Sequence, residues 1–142
     1  MLDVLYGIGI TPAAVPPSRG PDFYPSLEAL LLPYEQAMTR VDSTSGDWYD
    51  TSAHRLWIGD RTRQLDGAHV EFMRGIKNPL GLKCGPSLEP DDLLRLPAAL
   101  KQPTIPGRRH LIARFSADNI AYTPPLLLTA VHGAGGTVVC AY

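Results

Sequence analysis

Short apolar runs recur along the chain beyond residue 50, and each is bounded by glycine, proline or a charged residue. These runs predict strands at residues 54–59, 80–84, 110–114 and 137–140. Runs of this length with little alternation of polar positions are typical of parallel strands that are buried on both faces.

Stretches with helical spacing lie between the predicted strands. The first covers residues 66–76. The second begins at Pro90, a residue suited to the first turn of a helix, and is interrupted by Pro97. The third begins at Thr123 and is ended by the glycine-rich residues 133–136. We expect one apolar set per helix to face the sheet: Ala68, Phe72, Met73 and Ile76; Leu93, Leu94 and Leu100; and Leu126, Leu127 and Val131.

The N-terminal part of the chain has a different character. The first 25 residues contain five prolines and no sustained period, which predicts an irregular lead-in. We assign residues 1–20 to this lead-in and residues 21–142 to a single domain. Ser26 is predicted to cap a helix that extends from Leu27 to Met38 and that Pro33 kinks or splits.

Alternation of strands and helices predicts an α/β fold with a parallel sheet and right-handed crossovers. A complete (β/α)₈ barrel needs ~250 residues, whereas this chain has 142. The pattern therefore predicts a partial TIM (β/α)₈ barrel with about four parallel strands and three crossover helices, which is a single incomplete domain.

Composition narrows the classes of function. Lys and Arg total 13 and Asp and Glu total 14, and this balance argues against nucleic acid as a partner. No apolar run reaches the ~20 residues that span a bilayer, and the N-terminus, with Asp3, lacks the basic region of a secretory signal. We therefore expect no membrane partner and a cytoplasmic location. Cys84 and Cys140 are predicted to be buried thiols in a reducing compartment.

Three cations lie at or beyond the carboxyl ends of predicted strands, where parallel α/β folds bind their ligands. They are Arg61, Lys83 and Arg114, and Arg63 is expected on the same side as Arg61 if that segment is extended. Such a cluster suits a phosphate together with a carboxylate. The alternative is that each is a solvated surface charge. Lys83 lies within an apolar run and so needs a partner.

Other polar and aromatic residues give weaker signals. The histidines His54, His69, His110 and His132 show no spacing typical of metal ligands, so each is predicted to pack or to lie on the surface. The two tryptophans, Trp48 and Trp57, are predicted to serve packing rather than recognition.

Several long segments resemble, in the same order, segments of the class II, or plant-like, 3-deoxy-D-arabino-heptulosonate-7-phosphate (DAHP) synthases. The most specific is residues 57–69, which read WIGDRTRQLDGAH. The others are residues 28–40, 46–54, 78–86 and 106–114. The resemblance runs from about Pro21 to about Val139, nearly the whole chain.

This resemblance implies a (β/α)₈ barrel enzyme that condenses phosphoenolpyruvate with erythrose 4-phosphate, with manganese or cobalt as the divalent metal. The reaction opens the shikimate pathway toward chorismate and the aromatic amino acids. Arg61, Lys83 and Arg114 match the family's phosphoenolpyruvate-binding cations, and Arg61 and Lys83 are the implied catalytic pair. Asp60 matches an acidic residue whose backbone helps to hold that substrate, and Glu28 matches an acidic residue at the active-site mouth.

The sequence also departs from the family. The family's metal ligands are a Cys from an N-terminal segment, a His just after the fourth predicted strand, and a Glu and an Asp further on. None of these positions is present here, and neither Cys84 nor Cys140 matches the ligand Cys, so we assign no metal ligand to this chain. The resemblance therefore implies the central portion of a synthase truncated at both ends.

Three hypotheses remain open at this point. The chain is part of a working synthase, either as a fragment of a longer gene or as a piece that a complementing synthase chain completes. Alternatively, it is an inactive homologue that binds phosphoenolpyruvate or pairs with a full-length synthase. In the third case it is a remnant that does not fold alone. Open sheet edges also lead us to expect a homo-oligomer.

Overall fold

A computed structural model describes residues 23–100, 105 and 107–141. The predicted lead-in at residues 1–20 lies outside the described residues, so the domain boundary stays a prediction. Within these residues lie seven strands: β1 Ser26–Glu28, β2 Thr39–Val41, β3 Trp48–Asp50, β4 Arg55–Ile58, β5 Leu80–Cys84, β6 Arg109–Ala113 and β7 Val139–Ala141. The same described residues form four helices: α1 Leu32–Met38, α2 Ala68–Gly75, α3 Pro90–Leu100 and α4 Thr123–Gly133.

Five of these strands form one parallel sheet in the order β1-β4-β5-β6-β7. The helices α2, α3 and α4 connect β4 to β5, β5 to β6 and β6 to β7. The predicted α/β class, parallel sheet and three crossover helices are confirmed, but the sheet has five strands rather than about four. Neighbouring strands follow chain order, which is compatible with a partial barrel, and the barrel itself stays a prediction.

The fifth strand is β1, and it lies where a helix was predicted. Leu27 and Glu28 pair with Leu56 and Trp57 of β4, so the helix from Leu27 was wrong over its first half. Helix α1 begins only at Leu32, which places Pro33 in its first turn. Proline fits there because the first helical N–H groups have no partner within the helix, whereas a proline in the interior of a helix removes one of its hydrogen bonds.

The two faces of the sheet differ in character. One face packs against the helices and forms the core, which includes Leu56, Ile58, Leu80, Leu82, Cys84 and Leu111 with Val70, Met73, Leu93, Leu96, Leu100, Leu127 and Val131 from the helices. Side chains alternate along a strand, so Glu28, Trp57, Lys83 and Ile112 belong to the other face, as their strand register also requires. That second face positions the candidate site.

The helices follow the predicted pattern with local errors. In α3 the buried stripe is Leu93, Leu96 and Leu100, at i, i+3 and i+7, whereas Leu94 is exposed. The helix continues through Pro97 instead of being interrupted there. Ala68 and Leu126, both expected to face the sheet, are exposed as well. A spacing of i, i+3 and i+7 keeps side chains on one helical face, and Leu94 lies off it.

A buried polar cluster fixes the β2–β3 hairpin near the β4–β5 connection. Asn78 donates to the carbonyls of Asp50 and Ala53 at 2.8 and 3.2 Å, and it accepts from the Asp50 N–H at 2.9 Å. Glu35 in α1 accepts from the Ser52 hydroxyl at 2.7 Å. These bonds satisfy polar groups that would otherwise be costly to bury.

Candidate functional site

A cleft of about 290 Å³ opens at the carboxyl ends of β1, β4, β5 and β6. Its lining consists of Glu28, Asp60, Arg61, Lys83, Gly85, Pro86 and Arg114. The structure thus brings all five residues singled out in the sequence, Glu28, Asp60, Arg61, Lys83 and Arg114, around one space. The parallel strands explain this, because their carboxyl ends meet at one edge of the sheet.

Lys83 lies at the inner wall of the cleft and has the partner that its position in an apolar strand requires. Its Nζ donates to Glu28 Oε2 at 2.7 Å. The ring of Trp57 lies beneath the ammonium, with Nζ 5.7 Å from the ring centroid. Trp57 Nε1 also donates to Glu28 Oε2, at 3.2 Å. An ion pair and an aromatic face therefore hold the lysine in one place.

The environment keeps Glu28 ionised. The hydrogen bond from Lys83 is the largest influence that holds the pKa of Glu28 below its ordinary value. The Trp57 hydrogen bond and the charges of Lys83 and Arg61 act in the same direction, against the opposing effect of burial. Gly59 makes room for this carboxylate, since a Cβ at Gly59 would come within 2.3 Å of Glu28 Oε1.

Asp60 lines the same cleft, and its carboxylate is paired with Arg63, which lies outside the cleft lining. Arg63 Nη1 donates to the main-chain carbonyl and to the carboxylate of Asp60, and Nη2 donates to the Ser87 hydroxyl at 3.0 Å. Arg63 was expected on the same side as Arg61 only if that segment is extended, and this condition is not met. Residues 59–62 form a turn, closed by the Thr62 N–H on the Gly59 carbonyl, so the segment is not extended.

Arg61 and Arg114 complete the cleft. Both are exposed, so their guanidinium groups are open to a ligand from solvent. Arg114 follows the last residue of β6, and its N–H donates to the Cys84 carbonyl at 2.9 Å, which fixes its backbone beside the end of β5. The lining therefore holds three cations and two carboxylates; Lys83 compensates Glu28, and Arg63, outside the lining, compensates Asp60, so the charges of Arg61 and Arg114 are in surplus. This surplus of positive charge suits a small anion with more than one charged group.

Several residues of the site were not predicted. Trp57 was expected to serve packing, yet it contacts both Glu28 and Lys83. Its position two residues before Gly59, on the face that carries Lys83, is the signal in the sequence that could have indicated this. Ser87 and Gly85 also contribute, through the bond from Arg63 and the close approach to Asp60, and the sequence gives no comparable signal for them.

The described residues do not fit a divalent metal. They include no group of three His, Cys, Asp or Glu side chains able to hold a metal ion, and both carboxylates of the cleft already accept from Lys83 or Arg63. Both cysteines are free. Burial raises the pKa of the Cys84 thiol to about 12, whereas Cys140 is only half-buried, contrary to expectation.

No helix within the described ranges is long and apolar enough to cross a membrane.

The comparisons with known proteins agree with one another. The Class-II DAHP synthetase family matches residues 1–142. A Catharanthus roseus protein named probable phospho-2-dehydro-3-deoxyheptonate aldolase, chloroplastic, is 55% identical over 117 residues, which are 82% of this chain and 24% of that protein. Proteins named phospho-2-dehydro-3-deoxyheptonate aldolase from Streptomyces coelicolor and Neurospora crassa are 49% and 43% identical, over 82% and 80% of this chain. Each of these two is covered to 26%, so the chain spans about a quarter of the length of the curated relatives it matches. This chain belongs to the Class-II DAHP synthetase family.

Proposed function

We propose that this chain forms the phosphoenolpyruvate-binding part of a DAHP synthase, the phospho-2-dehydro-3-deoxyheptonate aldolase named among its relatives. The reaction condenses phosphoenolpyruvate with erythrose 4-phosphate to give DAHP and phosphate, the first step of the shikimate pathway. The observation that carries this proposal is the convergence of Arg61, Lys83 and Arg114 on one cleft in a member of this family.

The residues suggest a division of labour in substrate binding. Phosphoenolpyruvate carries a phosphate and a carboxylate, and the guanidinium groups of Arg61 and Arg114 offer planar donors that suit both. Lys83 supplies a third positive charge, which Glu28 and Trp57 hold in place. The Asp60 backbone borders the same space and is assigned to the same substrate.

The catalytic roles are assigned to Arg61 and Lys83. In the condensation, C3 of phosphoenolpyruvate attacks the aldehyde carbon of erythrose 4-phosphate, water adds at C2, and the C2–O bond to phosphate breaks. Negative charge grows on the departing phosphate, and fixed cations stabilise such charge more than they stabilise the bound substrate. A positively charged cleft whose carboxylates are already paired is suited to this task.

A second candidate is a chain that binds phosphoenolpyruvate, or pairs with a full-length synthase, without catalysing. It is favoured by one contrast within the described residues: the anion cleft is assembled, whereas no three potential metal ligands meet. The manganese or cobalt of the complete synthase, the cytoplasmic location, and a homo-oligomer or complementing chain stay predictions. The expectation that neither nucleic acid nor a membrane is a partner also stays a prediction.

The test is calorimetric titration of the 142-residue chain with phosphoenolpyruvate, with and without manganese. We expect saturable binding that Arg114→Ala weakens about tenfold or more, since a charge-assisted hydrogen bond is lost. Arg74→Ala is the matched control, because Arg74 pairs with Glu71 on the surface of α2, away from the cleft lining. A folded chain without saturable binding would overturn the proposal.

For the chain alone we expect no product, and metal-dependent product formation would rule out the second candidate.

A further inference from the structure

We infer that Arg63 is a positioning residue for the proposed phosphoenolpyruvate cleft. It fixes the turn that carries Arg61, and it compensates the negative charge of Asp60 from outside the cleft. This inference rests on the proposed function. Arg63 is not part of the cleft lining; it borders a neighbouring space together with Gln64 and Ser87. Its influence on a ligand must therefore pass through the residues that it holds.

The first observation is the bonding of the turn. Residues 59–62 form a tight turn with Asp60 and Arg61 at its centre, closed by the Thr62 N–H on the Gly59 carbonyl at 3.2 Å. The Thr62 hydroxyl donates to the same carbonyl at 3.4 Å, and Gln64 Nε2 donates to the Arg61 carbonyl at 3.0 Å. None of these three bonds reaches Asp60, at the centre of the turn. Arg63 adds two bonds to Asp60, one to its main-chain carbonyl and one to its carboxylate. The backbone on which Arg61 stands is therefore fixed by the guanidinium group of its second neighbour along the chain.

The second observation is a link between two loops. Arg63 Nη2 donates to the hydroxyl of Ser87, which also lies 3.5 Å from Asp60 Oδ2. The Asp60 carboxylate packs against Gly85, where a Cβ would lie only 3.0 Å from Oδ1. The loop after β4, which carries Arg61, is thus held against the loop after β5, which follows Lys83. A planar guanidinium group can make these bonds at once, whereas an ammonium group cannot reproduce their geometry.

The third observation is electrostatic. Asp60 borders a cleft proposed to bind an anion, and an unpaired carboxylate there would repel the ligand. The side chain of Arg63 is only 14% exposed, whereas that of Asp60 is 40% exposed. The arginine therefore lies on the protein side of the pair and offsets the negative charge without occupying the cleft.

The test compares phosphoenolpyruvate affinity, by calorimetry of the full chain, among the wild type, Arg63→Lys, Arg63→Met and the double variant Asp60→Asn/Arg63→Met. We expect Arg63→Lys to weaken binding about tenfold, the size of one lost charge-assisted hydrogen bond. Arg63→Met should weaken it further, because Asp60 is then unpaired. The double variant should bind more tightly than Arg63→Met, and a merely structural role for Arg63 predicts no such recovery.

The matched control is Arg74→Lys, because Arg74 pairs with Glu71 at the same i, i+3 spacing but on the surface of α2. It should leave the affinity unchanged. Amide hydrogen exchange of Thr62 gives a readout that needs no ligand, and we expect it to be faster in Arg63→Met. Wild-type binding that Arg63→Met leaves unchanged overturns this inference alone. No binding by the wild type overturns the proposed function, and with it the role toward a ligand, even where Thr62 exchange still shows that Arg63 holds the turn.

Discussion

The ion pair between Glu28 and Lys83 makes a long-range connection within the candidate site. Its members are 55 residues apart in sequence, and their side chains are only 28% and 24% exposed. A partly desolvated pair with a second donor from Trp57 differs from a surface pair, which contributes little. Replacing Glu28 alone would leave Lys83 without a counter-ion in the same environment.

We therefore expect Glu28→Gln to lower the free energy of unfolding by about 1–2 kcal/mol at neutral pH. The pKa of Glu28 is lowered in the folded state, so its contribution is present above the ordinary value of 4.5 and is lost as the pH falls through the lowered value. Urea denaturation at pH 7 and in acid, for both proteins, measures this. A stability difference that stays constant through the acid range would contradict the assignment, and Glu71→Gln, in the exposed pair on α2, is the control.

Prediction of single residues from the sequence succeeded where the residue type and its position in a strand decide the environment. Lys83 was expected to need a partner because it interrupts an apolar run, and it has one. That the partner is Glu28 could not be read from the pattern, because the contact depends on β1 lying beside β4. The separation of Arg63 from Arg61 could not be predicted from the pattern for a similar reason, because it depends on the turn at residues 59–62.

At the scale of elements, strand β5 shows what brings the site together. Gly81 lies between Trp57 and Ile112 on the face opposite the helices, and a Cβ there would be 2.9 Å from Trp57 Cβ and 3.1 Å from Ile112 Cδ1. Because Gly81 has no side chain, Trp57 and Ile112 can pack close together over strand β5. Trp57 can then support Lys83, two residues further along β5.

Gly81→Ala is accordingly expected to destabilise the protein by about 1–3 kcal/mol, the usual cost of overpacking. The added methyl group should displace Trp57, which contacts Lys83, and should therefore also weaken phosphoenolpyruvate binding. Gly75→Ala offers a matched control, because a Cβ at Gly75, the last residue of α2, meets nothing within 4 Å. Thermal unfolding and calorimetry of both variants provide the measurement. Equal stability of the two alanine variants would show that the sheet can accommodate the methyl group.

Elements were predictable in proportion to their length and regularity. Strand β5 was predicted with its observed bounds, and α3 and α4 begin at Pro90 and Thr123, as predicted. Apolar runs and first-turn prolines are local signals, which is why these elements could be predicted. Strand β1 has three residues and lies in a leucine-rich segment with helical spacing. Only its hydrogen bonds to β4 make it a strand, and such pairing has no local signature.

At the scale of the whole molecule, alternation of strand and helix was enough to predict the fold class, because parallel strands in sequence order need crossover helices. The closure of a barrel cannot be read in the same way, since it depends on what lies against the outermost strands. In the sheet of described strands these are β1 and β7, which carry the exposed apolar residues Leu27 and Val139. No further described strand pairs with either edge, and an edge strand of this kind favours pairing with another chain.

We therefore expect the 142-residue chain to self-associate as its concentration rises, measured by sedimentation velocity. Val139→Lys should reduce association, because a charged side chain on an edge strand opposes edge-to-edge pairing. Leu126→Lys is the control: Leu126 is 63% exposed but lies on α4, so it adds the same charge away from the sheet edge. A monomer at all concentrations would contradict the prediction. An equal effect of both lysines would indicate general charge repulsion instead of pairing through β7, and only a selective effect of Val139→Lys identifies that strand as the surface to which a second chain binds.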